Sequence, residues 1–125
     1  MPTTIMIVDD EDTVRKLIRV MFKGFDDTDF LEAKDATEAL KIAREHRGPI
    51  DLLISDVVMP GRMNGTEMAA QLSNARPEMK VVLMSGYAPE AVTMAPEWHF
   101  IQKPFTALEI QEAIWRLLAD NCLAA

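Results

Sequence analysis

At 125 residues, 49% of them hydrophobic, the chain is long enough for one domain with a real core and too short for two comfortable ones. A formal charge of -7 excludes a sequence-independent grip on nucleic acid, which needs clustered Lys and Arg to displace phosphate counterions, and suits basic protein partners instead. Cys122 is the only cysteine, so no internal disulfide forms and a reducing compartment is expected. No apolar run approaches the roughly 20 residues of a membrane helix, and Met1-Pro2-Thr3-Thr4 has no basic region ahead of an apolar one, so a cytosolic protein without membrane association is expected.

Ile5-Met6-Ile7-Val8 is an unbroken apolar run, the pattern of a strand covered on both faces, and it ends in Asp9-Asp10-Glu11-Asp12. Val14, Leu17, Ile18, Met21 and Phe22 then recur at helical spacing, which predicts a helix beginning near Asp10 or Glu11, acids at its positive end, and Gly24 closing it. Residues 29–33 read as a second, edge-like strand. Asp35-Ala36-Thr37-Glu38 is a capping-box pattern opening a helix through Ala39, Leu40, Ile42 and Ala43, which Gly48-Pro49 closes. Residues 50–55 form the predicted third strand, delivering Asp56 into the turn Val57-Val58-Met59-Pro60-Gly61. Asn64-Gly65 leads into a helix carrying Met68, Ala69 and Leu72, and Pro77 separates it from a fourth strand, 81–84, that ends in Ser85-Gly86-Tyr87. An apolar patch around Ala91, Val92 and Met94 makes little more than one helical turn before Pro96. Residues 98–101 form a fifth strand, followed by Lys103-Pro104-Phe105. Thr106-Ala107-Leu108-Glu109 is a further capping-box pattern, and the last helix buries Ile110, Ala113, Ile114, Leu117 and Leu118.

Strands alternating with helices imply a parallel sheet with right-handed crossovers and helices on both faces. In such a sheet the carboxyl ends of all strands share one edge, where open α/β folds bind ligands. Asp9, Asp10, Asp56, Ser85 and Lys103 each fall just past a strand end, so the topology gathers them. Carboxylates brought that close repel: at an effective dielectric of about 20, each pair at about 4 Å costs on the order of 4 kcal/mol. They need a cation or protons, and hard oxygen ligands suit Mg²⁺. A Lys and a Ser beside them supply the positive charge and hydroxyl that a transferring phosphoryl group wants. Each residue also has a simpler role open to it. Asp56 is a common residue type for opening a turn, Asp10 for capping the first helix, and Ser85 for a turn before Gly86. Lys103 fits a solvated loop, Phe100 fits a core aromatic, and Met21, Met59, Met68, Met84 and Met94 fit gap-filling core positions. His46 and His99 have no partner at metal-ligand spacing and read as structural. The joint placement, not any single residue, points to phosphorylation of one aspartate.

In order and spacing these pieces resemble the receiver domain of two-component response regulators over essentially the whole chain, 1–125 as a single domain. The resemblance rests on Asp9-Asp10, Asp56 within SDVVMPG, Asn64-Gly65, Ser85 in MSGY, and Lys103-Pro104-Phe105 in FIQKPF. It implies an α/β, flavodoxin-like, doubly wound five-stranded parallel sheet of order 2-1-3-4-5, with five helices of which the fourth is short or irregular. Carried over residue by residue, it implies that Asp56 is the phosphoacceptor, taking its phosphoryl group from a histidine kinase, a histidine phosphotransfer protein or a small phosphodonor. Asp9, Asp10, Asp56 and the backbone carbonyl of Val58 would hold Mg²⁺. Lys103 would contact the phosphoryl group, Ser85 would move to hydrogen-bond it, and Phe100 would be the aromatic switch that packs inward when the hydroxyl moves. The Lys103-Pro104 bond is expected to be cis, a state Pro makes accessible. Such a module is no enzyme beyond its own phosphorylation and dephosphorylation. Its partners would be the phosphodonor protein and an unnamed downstream protein, not nucleic acid, and the family leaves a phosphorylation-dependent homodimer open.

Two departures from the family pattern stand out. The loop 60–65 is longer than the common form, and the segment from Ser85 to Lys103 is shorter by about one helical turn, so a stunted fourth helix and an altered output face are expected. Val58 and Tyr87 flank the path of an attacking water and offer no general base, which predicts slow self-dephosphorylation. Two other classes fit less well. A Mg²⁺-dependent phosphatase working through an aspartyl phosphate wants a second acid where Val58 stands, and a flavodoxin-like carrier wants a Ser/Thr/Gly-rich phosphate loop where Asp9-Asp10 would repel a flavin phosphate. A stand-alone regulator is expected from Met1, with a receiver module of a hybrid kinase as the other reading.

Overall fold

The apolar runs pair, in the computed structural model, into one five-stranded sheet. Residues 3–22, 27–59, 61, 63–86 and 95–124 are described, with side chains as far as residue 117. Their order is β1 (Thr3–Val8), α1 (Asp12–Met21), β2 (Thr28–Ala33), α2 (Ala36–Glu45), β3 (Leu52–Asp56), α3 (Gly65–Ala75), β4 (Lys80–Ser85), β5 (His99–Gln102) and α4 (Ala107–Ala124). All pairings are parallel, and the sheet order is β2-β1-β3-β4-β5, as the resemblance implies. Four helices lie among the described residues; the short element expected around Ala91, Val92 and Met94 lies outside them.

The unbroken apolar runs become strands buried on both faces, because side chains alternate across a pleated strand. Met6 and Val8 of β1, Leu53 of β3 and Val81 and Leu83 of β4 point into one core, against Ala36, Ala39 and Ala43 of α2 and Met68, Ala69 and Leu72 of α3. Ile5, Ile7, Leu52, Ile54, Val82 and Met84 point into the other, against Ile18 and Met21 of α1 and Ile110, Ile114 and Leu117 of α4. Each of the larger side chains, Val, Leu, Ile and Met, contributes roughly 1.5–3 kcal/mol when fully buried, so the three central strands form the stiff part of the molecule. The edge strands are less covered. Met21, Met59, Met68 and Met84 are core residues, as expected; Met94 lies outside the described residues.

The caps differ in detail from the patterns in the sequence. Asp10 does not cap α1: Glu11 is the N-cap, without a side-chain cap bond, and the Glu11 N–H donates instead to Asp9 Oδ1 at 2.9 Å. Asp35 Oδ1 accepts from the Glu38 N–H, while Glu38 Oε1 accepts from Lys34, one residue before the cap. The full reciprocal box is at α3, between Asn64 and Glu67. Thr106 Oγ1 accepts from the Glu109 N–H at the start of α4.

One contact between helices left no pattern in the sequence. Arg76, the C-cap of α3, donates to the carbonyls of Ala43 (3.0 Å), His46 (3.0 Å) and Gly48 (2.6 Å), thereby satisfying the carbonyl end of α2. Charge-assisted bonds of this kind are each worth about 1.5–3 kcal/mol at most, and not additively. Arg76→Ala is expected to lower unfolding free energy by about 2 kcal/mol in urea denaturation, and Arg76→Lys, which cannot span three carbonyls with a planar fork, to recover less than half of it.

Candidate functional site

β1 and β3 are neighbours in space but not in sequence, and the chain departs from them to opposite sides of the sheet. The crevice past their carboxyl ends is the topological switch point of the fold. Asp9 stands just past β1 and is fully buried. Its N–H donates to the Ala33 carbonyl (3.1 Å), its carbonyl accepts from Arg15 Nη1 (2.6 Å), and its Oδ1 accepts from the Glu11 N–H. Asp10 beside it is exposed.

Asp56 is the last residue of β3 and 8% exposed. The backbone around it is pinned: the Val57 N–H donates to the Met84 carbonyl (2.9 Å), the Val57 carbonyl accepts from Gly65 N (2.8 Å), and Ser55 Oγ donates to the Asp56 carbonyl (2.9 Å). The start of α3 lies so close that a Cβ on Gly65 would sit 1.9 Å from the Asp56 carbonyl oxygen, a distance no side chain can occupy. That is why glycine follows the capping Asn64. Ser85, the last residue of β4, is buried, and its carbonyl accepts from Lys103 N at 2.7 Å, fixing the turn after β5. The Lys103-Pro104 bond is cis, as expected.

The side chains converge. One carboxylate oxygen from each of Asp9, Asp10 and Asp56 lies within 4.8 Å of the others. Lys103 Nζ is 3.3 Å from Asp56 Oδ2 and 3.5 Å from Asp9 Oδ2. Asp9 Oδ2 has no hydrogen-bond partner, although it is buried. Burial first, then the nearby charges of Asp9 and Asp10, push the Asp56 carboxyl above the ordinary aspartate value of 3.8, against the pull of Lys103. For Lys103 the balance runs the other way: burial opposes its charge, but the carboxylates of Asp56 and Asp9 outweigh it and hold its pKa above the ordinary lysine value. Burial works against the charged form in both groups; only for Lys103 do the neighbouring charges outweigh it. Three carboxylates against one ammonium, with a buried oxygen that takes no hydrogen bond, are a hard-oxygen donor set that fits a divalent cation such as Mg²⁺.

Of the residues singled out from the sequence, Asp9, Asp10, Asp56 and Lys103 meet in one place, and Ser85 closes the next strand along. Phe100 on β5 is half-buried and packs against the core on the α2 and α3 side. Val58 follows the site with its side chain 56% exposed. Tyr87 lies outside the described residues. His46 and His99 join no metal-type cluster among the described residues. Arg15 and Gly65 were not recognised as contributors. Gly65 was legible only as a helix opener, and Arg15 only as one basic residue on a helix.

The sequence model of the response regulator receiver domain matches residues 5–115. The chain belongs to this family. The receiver is 31% identical over 121 residues to the sensor kinase CckA of Brucella abortus, covering 92% of this chain but 12% of that much longer protein. It is 30% identical to the chemotaxis protein CheY of Pseudomonas aeruginosa, over 90% of this chain and 94% of CheY. Among solved structures it resembles the receiver domain from the hybrid histidine kinase CckA, with 34% identity, a TM-score of 0.78, and coverage of 92% of this chain and 98% of that one. A response regulator receiver domain protein from Clostridium thermocellum superposes with a TM-score of 0.82 at 26% identity, covering 98% and 99% of the two chains.

The raised carboxyl of Asp56 gives the receiver a pH signature. Because the folded chain holds this proton more tightly than the unfolded chain, the Asp56 contribution to stability falls as pH rises from about 3.8 through the folded value, and the full penalty persists at neutral pH. In chelator, Asp56→Asn is expected to melt above wild type at pH 7, with the difference shrinking toward pH 4. Saturating Mg²⁺ should raise the melting temperature of wild type more than that of the variant.

Proposed function

We propose that residues 1–125 act as one phosphorylation-switched module of a two-component system, in which Asp56 accepts a phosphoryl group from a phosphohistidine on a histidine kinase or histidine phosphotransfer protein. The observation that supports this most directly is the buried Asp56 carboxylate, 3.3 Å from Lys103 in a cluster of acids that includes a buried Asp9 oxygen without a hydrogen bond, 3.5 Å from the same lysine. The solved CckA receiver, which carries the name of a hybrid histidine kinase, supports a kinase or phosphotransfer protein as donor.

In this reaction an Asp56 carboxylate oxygen attacks phosphorus. The O–P bond forms as the P–N bond breaks, and its electron pair leaves with the donor imidazole. Burial raises the Asp56 carboxyl above its ordinary value, and the Lys103 charge beside it opposes that rise, favouring the ionised nucleophile. As the phosphoryl group arrives, the Lys103 ammonium faces its equatorial oxygens. The Ser85 hydroxyl, one strand over, donates to another once the β4 end shifts. Mg²⁺, held by Asp9, Asp10, Asp56 and the Val58 carbonyl, would neutralise the charge that develops on the transferred group. Ser85 and Phe100 then report the new charge by shifting an existing two-state equilibrium of the face offered to a downstream protein. The chain catalyses only its own phosphorylation and dephosphorylation. The module acts in the cytoplasm on this reading; none of its described helices is long and apolar enough to cross a membrane.

Intact-mass spectrometry after acetyl phosphate and Mg²⁺ is expected to show a single phosphoryl adduct on wild type and none on Asp56→Asn. An unmodified wild type, where a control receiver is labelled, contradicts the proposal. Val58 offers an apolar, mostly exposed side chain in place of a base, so labelled phosphate should be retained for minutes or longer in Mg²⁺. Complete loss within seconds contradicts that expectation.

A further inference from the structure

Arg15 stands one turn into α1, its side chain only 15% exposed. Its guanidinium is held on three sides. Nε reaches Glu32 Oε1 on the edge strand β2 at 3.3 Å, Nη2 pairs with Asp12, and Nη1 donates the 2.6 Å bond to the carbonyl of Asp9. Glu32 is itself steadied by Arg19 at 3.0 Å, and its strand register places it opposite Ile7, two residues before Asp9. The fork therefore bridges the edge strand to the residue at the end of β1.

The consequence for Asp9 follows from counting its polar groups. Its N–H is taken by the Ala33 carbonyl, its carbonyl by Arg15, and Oδ1 by the Glu11 N–H. Only Oδ2 is left, buried, without a hydrogen bond, and 3.5 Å from Lys103 Nζ. With both backbone groups and one carboxylate oxygen committed, the remaining oxygen has one direction in which to point, and it points among the acids.

We propose that Arg15 is a positioning residue of the acid site: by clamping the Asp9 carbonyl, with Glu32 orienting the clamp, it fixes the Asp9 carboxylate for a divalent cation. This rests on the reading of Asp9, Asp10 and Asp56 as a cation site. The clamp needs a planar fork with several donors at fixed angles, which lysine does not provide. Groups that orient a metal ligand from behind typically carry 10–100-fold in metal affinity.

The sign of the effect separates positioning from simple charge. Arg15 is a positive charge close to a cation site, so on Coulomb grounds alone its removal tightens cation binding. Positioning requires the opposite. In the full chain at pH 7, with free Mn²⁺ measured by electron paramagnetic resonance, Arg15→Ala is expected to bind Mn²⁺ about tenfold more weakly than wild type, and Arg15→Lys to restore little of the loss. Glu32→Gln, which keeps the guanidinium but also removes a negative charge, should weaken binding by a smaller factor. Its effect should vanish in the Arg15→Ala background, because both act through one contact. Thermal melts in chelator identify folded variants, since a purely structural role lowers the melting temperature without changing the affinity of the folded fraction. If Arg15→Ala fails to melt cooperatively, Arg15→Lys decides, since it keeps the charge and loses the fork: unchanged affinity overturns the proposal. Wild type that binds Mn²⁺ while Arg15→Ala binds it equally or more tightly overturns the positioning role and leaves the cation reading standing. Wild type that takes up no Mn²⁺ overturns both.

Discussion

Three carboxylates held with oxygens within 4.8 Å of one another set the central constraint on this molecule. Left to themselves they would separate or bind protons, since each close pair costs several kcal/mol in partly buried surroundings. They stay together because Asp9 and Asp56 end adjacent strands that are buried on both faces, while Lys103 is brought against both from the turn after β5. The surplus negative charge that the lysine does not cancel fits the site to a divalent cation.

A rigid platform is the other half of that arrangement. The two cores clamp β1, β3 and β4 from both sides, and the bonds from Val57 to Met84 and from Gly65 to Val57 tie the end of β3 to β4 and to the start of α3. A displacement at Asp56 therefore has few directions open to it. The half-buried Phe100 on the edge strand β5 lies on the less covered side of the sheet.

Much of the fold was legible because it depends on periodicity. Unbroken apolar runs at 5–8, 52–54 and 81–84, too short for helices, read as strands with both faces covered, and the amphipathic stretches between them as crossovers. The boundaries shifted by a residue or two where the hydrogen bonds ran on, as at Lys80 and Ser85. Asp10 was open to reading as a helix cap, because an acid at a strand-helix junction usually is one; the structure gives Glu11 the N-cap position and satisfies its N–H from Asp9 instead. The stunted helix expected between Ser85 and Lys103 lies outside the described residues.

The sequence by itself determined the architecture, the family and which residues stand at the carboxyl edge, because strand alternation and chain order decide which ends meet. Only the tertiary structure decided how they meet. That one oxygen of Asp9 is left without a hydrogen bond, that Gly65 has no room for a Cβ, and that Arg15 and Arg76 grip backbone carbonyls were all undetermined until the elements packed. The physical reason is common to these contacts. A carbonyl oxygen is offered by every residue alike, so a bond to it leaves no mark in the pattern of side chains, and the arginine that makes it looks like any other surface charge until the distance is known.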